Sequence, residues 1–281
     1  MTAVPDIKLN NGVTIPQVGF GVFQVKPAET VEVVTTALEA GYRHIDTAAM
    51  YGNEKEVGQA IAASGVDPAQ VFVTSKLNNN AHAFDDALKA FDATYAAIGK
   101  EQLDLYLIHW PLPTVEGLDY VETWKAMERI YSEGRVRSIG VSNFQVSHLE
   151  RLAAETDTVP AVNQIEVHPY LTQEPLRRYD AEHGIATEAW SPIAQGKVLD
   201  DAVIAGIAQA HGRSPAQAVL RWHVQRGDIV FPKSVTPQRI RDNLALFDFE
   251  LSDHEMDAIS GLNRDQRTGP DPDVFAMVPP A

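Results

Sequence analysis

Short apolar runs alternate with longer amphipathic segments along almost the whole chain, and this alternation limits the possible folds more than any other feature. The opening IKLNNGVTIP carries Asn-Asn-Gly between two apolar arms, which predicts a β-hairpin. Strand and helix patterns then come in pairs. VGFGVF precedes PAETVEVVTTALEAG, RHID precedes NEKEVGQAIAAS, VFVTSK precedes AFDDALKAFDATYAAIG, and LDLYLIHW precedes YVETWKAMERIYSEG. VRSIGVS, VNQIEV, IATEAWSP and DIVFPKS each lead into helical patterns of their own, the last into TPQRIRDNLALF. Pro27 and Gly41 bracket the first helix, and Asn53 is placed to cap the second. LSDHEMDAISGL adds one more helix at the end.

The strand runs are apolar throughout rather than alternating, as parallel strands covered on both faces require. Eight strand–helix units in about 250 residues describe an α/β fold of the TIM barrel kind, (β/α)8, in which sites gather at the C-terminal ends of the strands. The reading is therefore a single domain over residues 1–281, with an N-terminal β-hairpin and an extra C-terminal helix. A doubly wound open sheet is the alternative, because periodicity carries no information about closure.

Composition narrows the function classes. Hydrophobic residues make up 44% and charged residues 22%, an ordinary globular balance. No apolar run reaches the roughly 18 residues of a membrane span, and no basic, apolar leader opens the chain, so a cytoplasmic protein is expected. The absence of cysteine removes disulfides, thiolate metal sites and cysteine nucleophiles together. A net charge of −15 disfavours nucleic acid and anionic membranes as partners. The nine histidines lack His-Glu-x-x-His spacing, so no metal is expected, and no Gly-x-Ser-x-Gly elbow is present. No tail or heptad pattern suggests assembly, and a monomer is expected.

Asp46, Lys76 and His109 lie at or just past the polar ends of successive strand runs, and Tyr51 follows in the loop after Asp46. Singly, each is as well explained by a loop cap or a carbonyl contact. Together they form a proton-handling set. An ammonium near a phenol lowers its pKa by stabilising the phenolate, a carboxylate keeps that ammonium charged, and an imidazole can orient a carbonyl oxygen. Two other motifs compete. Gly19-Phe-Gly21 begins like a dinucleotide fingerprint, but its third glycine and its helix are missing, and glycines in a loop after the first barrel strand explain it better. Tyr51-x-x-x-Lys55 matches the catalytic pair of short-chain dehydrogenases, yet Gly52 and Asn53 interrupt the helix that pair would need.

With GYRHIDTAAMYGNE, VTSK, LDLYLIHWP, SIGVSNF, AVNQIEVHP and FPKSVTPQRIRDN in place and in order, the chain resembles the aldo-keto reductase family over essentially its whole length. Within it, AVNQIEVHP, QGK, PAQAVLRWH and VFPKS are most similar to bacterial 2,5-diketo-D-gluconate reductases. The resemblance implies NADPH as cofactor and a small carbonyl compound as substrate. Tyr51 would then be the proton donor, supported by Lys76 and Asp46, with His109 positioning the carbonyl. It implies that Ser142, Asn143 and Gln164 hold the nicotinamide carboxamide and that Trp190 stacks under the ring. Ser191, Gln195 and Lys197 would lie near the pyrophosphate, Lys233, Ser234 and Arg239 around the 2′-phosphate, and Asn243 near the adenine. Phe23 and Trp110 are expected to wall the substrate pocket. Where relatives often carry an aromatic residue after the lysine strand, this chain has Leu77-Asn78-Asn79-Asn80, expected as a polar wall, with PDPDVFAMVPP lying over the mouth. A barrel that binds the nucleotide only as a sensor or structural protein is the competing function.

Overall fold

The computed structural model describes residues 4–280. β1 (Asp6–Lys8) and β2 (Thr14–Pro16) form the predicted antiparallel hairpin. Eight parallel strands follow: β3 (Phe20–Gly21), β4 (His44–Asp46), β5 (Phe72–Leu77), β6 (Leu103–Ile108), β7 (Val136–Ser142), β8 (Val162–Glu166), β9 (Ala186–Trp190) and β10 (Ile229–Val230). Each pairs with the next in chain order. The ring closes because Val18, just before β3, bridges Val230 in parallel. Gly19 N donates to Val230 O at 2.7 Å and Val230 N to Gln17 O at 2.9 Å. Closure rules out the open sheet.

The outer ring comprises α1 (Pro27–Ala40), α2 (Glu54–Ala63), α3 (Phe84–Ile98), α4 (Tyr120–Ser132), α5 (Val146–Glu155), α6 (Glu174–Glu182), α7 (Ala202–Ala210), α8 (Pro215–Gln225) and α9 (Pro237–Asp242), with α10 (Asp253–Ser260) as the extra helix. Among the described residues no helix is long and apolar enough to cross a membrane. α1 starts at Pro27 and stops at Gly41, whose φ of 110° suits glycine.

Two cores divide the apolar residues. The larger lies between the sheet and the helices. The smaller fills the barrel: Phe72, Leu105, Leu107, Val162 and Ile229 pack with Leu9 and Ile15 of the hairpin, which plugs the lower end. An apolar floor is thus set beneath the upper strand ends.

Three expectations need correction. Asn53 precedes α2 but does not cap it with its side chain. That side chain accepts from Thr47 Oγ1 at 2.8 Å and donates to Val22 O and Val25 O at 3.1 Å, tying two mouth loops together. The helix expected over TPQRIRDNLALF ends at Asp242. Gly19 and Gly21 do not follow the first barrel strand: Gly21 is its second residue, and Gly19 is on its approach. Both serve close packing. A Cβ on Gly19 would come within 2.5 Å of His44 Nδ1, and one on Gly21 within 2.7 Å of Phe231 O. The Phe231 backbone cannot swing aside as a side chain can, so Gly21→Ala should cost about 1–3 kcal/mol, the range for overpacking. Urea unfolding measures this, and an unchanged midpoint would show that the seam between β3 and the residues after β10 is slack.

Candidate active site

The apolar floor gives way to polar side chains near the upper strand ends, and the central one is Lys76 on β5. It is fully buried. Its ammonium donates to Asp46 Oδ1 at 2.8 Å, Asp46 Oδ2 at 2.9 Å and Thr47 O at 2.8 Å, which spends all three protons. Burial works against the charge, but the paired Asp46 more than offsets it and holds the Lys76 pKa above its ordinary value.

Tyr51 sits over this pair, in a short 3-10 turn, Ala49–Tyr51, with Lys76 Nζ 5.1 Å from its ring centroid. Its ring meets His109 edge-on at 5.9 Å and Phe23 at 5.0 Å. The structure therefore gathers Asp46, Tyr51, Lys76 and His109 around one point. Lys55 is exposed on α2, and the cation beside the Tyr51 ring is Lys76. One electrostatic expectation reverses. Burial pushes the phenol above its ordinary pKa, and the opposing pull of Lys76 only moderates this. Burial, with Lys76 second, drives the His109 pKa well down, so its imidazole is neutral at neutral pH. His109 Nδ1 is buried without a hydrogen-bond partner.

On the opposite wall, Ser142, Asn143, Gln164 and Trp190 form a continuous network with the first group. Asn143, in a left-handed conformation at φ 65°, donates to His109 O at 2.9 Å and Ser142 Oγ at 3.1 Å and accepts from Trp190 Nε1 at 2.8 Å. Ser142 Oγ donates to Gln164 O at 2.8 Å. Gln164 Nε2 donates to Asp46 Oδ2 at 2.8 Å and to Glu188 Oε2 at 2.7 Å. The donors of all three polar side chains are spent on protein. Gln164 keeps Oε1, to which no described residue donates.

Further round the mouth, Ser191 and Gln195 adopt left-handed conformations, with φ of 48° and 56°, in the turn that presents Lys197. Gln195, Lys197, Lys233 and Arg239 are exposed, Ser234 is buried and Asn243 half-buried. Among the described residues, none of these three cations has an ion-pair partner within 4.0 Å. Unpaired cations grouped on a chain of net charge −15 suit an anionic ligand.

The tail crosses the mouth as a strap. Thr268 N donates to Glu166 Oε1 at 2.5 Å, and Gly269 N to Glu166 Oε2 at 3.2 Å. Gly269 lies so close to Trp190 that a Cβ would come within 2.4 Å of Cη2. Phe275 packs on Trp110 at 4.2 Å between ring centroids, leaving Trp110 only 8% exposed. Asn79 Nδ2 donates to Met277 O and Asn80 Nδ2 to Pro280 O, both at 3.0 Å. Two residues of the loop expected as a polar pocket wall, Asn79 and Asn80, thus spend side-chain donors on tail carbonyls and anchor the strap. Asn78 Oδ1 is likewise taken, by Asn79 N at 2.8 Å. Phe23, 55% exposed, is the open aromatic surface.

Glu188 and Glu166 were not singled out from the sequence. Their signal was faint: each is an acid inside a strand run, two residues along from a polar or aromatic site residue, hence on the same face.

The match to known proteins agrees with this geometry. The model of the Aldo/keto reductase family matches residues 17–264. Glyoxal reductase of Bacillus subtilis is 48% identical, covering 95% of this chain and 96% of its own. Morphine 6-dehydrogenase of Pseudomonas putida is 47% identical, covering 95% and 94%. A crystal structure of a Gox0644 mutant in complex with NADPH superposes with a TM-score of 0.93 at 46% identity, covering 97% and 99%. The chain belongs to the aldo/keto reductase family, and it is an oxidoreductase of that class.

One carboxylate, Glu166, holds the start of the strap. Burial opposes the charge on Glu166, but hydrogen bonds from His168, Thr268 and Gly269 outweigh it and hold the pKa below its ordinary value. A depressed carboxyl stabilises above its unfolded pKa, about 4.3, and loses that contribution as pH falls through the folded value. Glu166→Gln should therefore lower hydrogen-exchange protection at Thr268 and Gly269 about tenfold to a hundredfold at pH 7, the scale of charge-assisted bonds worth about 1.5–3 kcal/mol. Wild-type protection should fall toward the variant's as the pH falls through the depressed Glu166 value. Equal protection in both proteins at pH 7 would show that the tail is held elsewhere.

Proposed function

We propose that this chain reduces small aldehydes and ketones to alcohols with NADPH, and that Tyr51 delivers the proton. The observation that carries the reading is the buried Lys76–Asp46 pair set beneath Tyr51, with the neutral His109 imidazole edge-on to the same phenol. Lys197, Lys233 and Arg239 fit the nucleotide phosphates, Gln164 Oε1 fits the carboxamide N–H, and Ser142, Asn143 and Trp190 frame that subsite. Ser191, Gln195, Ser234 and Asn243 complete the cofactor set. When bound, the dihydronicotinamide supplies a hydride to the carbonyl carbon.

The chain's own residues then manage the charge. The raised phenol pKa keeps Tyr51 protonated until a carbonyl oxygen gains charge beside it. As the proton leaves, the Lys76 ammonium, held by Asp46 and Thr47, stabilises the phenolate. Neutral His109 can donate to the carbonyl oxygen without competing as an acid. With Phe23 and the tail both at the mouth, the substrate class inferred is a short dicarbonyl or a keto sugar acid rather than a bulky ketone. The name glyoxal reductase for one relative supports that size range, while morphine 6-dehydrogenase shows a similar chain named for a larger molecule.

Tyr51→Phe should lower kcat by at least the roughly 10²–10⁴-fold typical of a lost general acid, with NADPH affinity retained. Lys76→Met should be crippling and Lys55→Met mild; the reverse order in steady-state assays would refute the mechanism. A panel running from short dicarbonyls to steroid ketones tests the substrate class, and a clear kcat/KM preference for the bulky members would reject it.

Neutral replacement of Lys233 and Arg239 together should weaken NADPH by a few kcal/mol while sparing NADH, because only NADPH carries the 2′-phosphate. Fluorescence titration with both cofactors is the check, and equal losses would reject the assignment.

A further inference from the structure

One carboxyl group in the barrel's polar layer has no part in the proton transfer described above. Glu188 lies midway along β9, fully buried, and is the register partner of Gln164 on β8. A primary amide has two N–H groups. Those of Gln164 go to Glu188 Oε2 at 2.7 Å and Asp46 Oδ2 at 2.8 Å. The reversed amide would aim its oxygen at Asp46 Oδ2, an acceptor that already takes a hydrogen bond from the Lys76 ammonium. Held at both protons, the amide has one orientation, and that leaves Oε1 free of protein donors.

We propose that Glu188 is a positioning residue for the nicotinamide subsite: together with Asp46 it grips both amide protons of Gln164 and so fixes Gln164 Oε1 as the acceptor for the carboxamide of the coenzyme. The inference rests on the assignment of Gln164 to that carboxamide made above. Burial, with Asp46 second, pushes the Glu188 carboxyl up to about 8, so the group is neutral at pH 7. The other titratable groups facing it are Asp46 from β4 and Lys76 from β5, while β8 and β10 contribute uncharged Gln164 and Ile229. A neutral acid there adds no second anion beside the Lys76–Asp46 pair. It also has a close isostere, because a glutamine in its place offers the same acceptor oxygen.

Two ligands separate positioning from simple stability: NADPH, and 2′,5′-ADP, which has the phosphates and adenine but no nicotinamide. Glu188→Leu removes the acceptor at similar volume, leaves one Gln164 proton unpaired and lets the amide turn. It should weaken NADPH roughly tenfold or more, the scale of one unsatisfied buried donor, and leave 2′,5′-ADP unchanged. Glu188→Gln should bind both as wild type does at pH 7. Equal weakening of both ligands by Glu188→Leu, or none for NADPH, would overturn the proposal. Gln164→Leu tells the two levels apart. If it spares NADPH, the carboxamide assignment itself fails and the inference falls with it. If it weakens NADPH while Glu188→Leu does not, the inference alone fails. Should Glu188→Leu not fold, the wild-type side-chain amide protons of Gln164 serve instead in NMR exchange. Strong protection of both protons supports the grip, and exchange at the rate of a free amide overturns it.

Discussion

The buried pairing of Lys76 with Asp46 is the interaction on which the rest of the site depends. Placing an ammonium and a carboxylate inside a protein costs several kcal/mol each, and the attraction between them repays this only when the remaining donors and acceptors are also satisfied. Here they are: Lys76 completes its set on Thr47 O, and Asp46 also accepts from Gln164. The barrel makes such an arrangement possible by giving the pair an apolar floor of Phe72, Leu105, Leu107, Val162 and Ile229 and by closing its lower end with the hairpin. Water is kept away from below, so the charge acts upward on Tyr51. Removing either partner would strand the other as an uncompensated charge, which couples the stability of the barrel to its chemistry.

The same pair organises neighbours that carry no charge of their own. Asp46 orients Gln164, Gln164 engages Glu188, and Ser142 and Asn143 link Gln164 to His109 and Trp190. A chain of hydrogen bonds therefore joins the proton-handling wall to the wall assigned to the nicotinamide. Rotamers along it are held by several partners at once, which is how a site keeps its geometry before any ligand arrives. The C-terminal strap works on a different principle. Its anchors include backbone groups gripped by Glu166, Asn79 and Asn80 and the aromatic contact at Trp110, so hydrogen bonds at the mouth rather than burial in the barrel core hold it.

Much of this was legible in the amino-acid sequence. The eight alternating units, the hairpin and the extra helix follow from periodicity and turn chemistry, because a strand covered on both faces and a helix with one apolar side leave different local patterns. Asp46, Lys76 and His109 stood out for a related reason: each follows an apolar run where a barrel presents its chemistry. Lys76 ranked above Lys55 as the partner of Tyr51 because Gly52 and Asn53 break the helix the other motif needs, and in the fold it is Lys76 whose Nζ lies 5.1 Å from the Tyr51 ring centroid.

What the sequence could not supply were relations between residues far apart in the chain. Closure hangs on Val18 meeting Val230, a pairing with no local trace. The three asparagines after Leu77 read as a polar wall, and only the folded tail, about 200 residues later, shows that Asn79 and Asn80 hold its carbonyls. Tyr51 was expected to titrate low beside Lys76, but burial dominates, and burial is a property of the assembled mouth. Glu188 was invisible as a site residue because a single acid in a strand carries no signal until its partner on the next strand is known. Local composition and period determined which elements form and which ends carry chemistry. Tertiary packing alone decided which donor meets which acceptor, because those contacts are fixed by strand register and by the path of the tail.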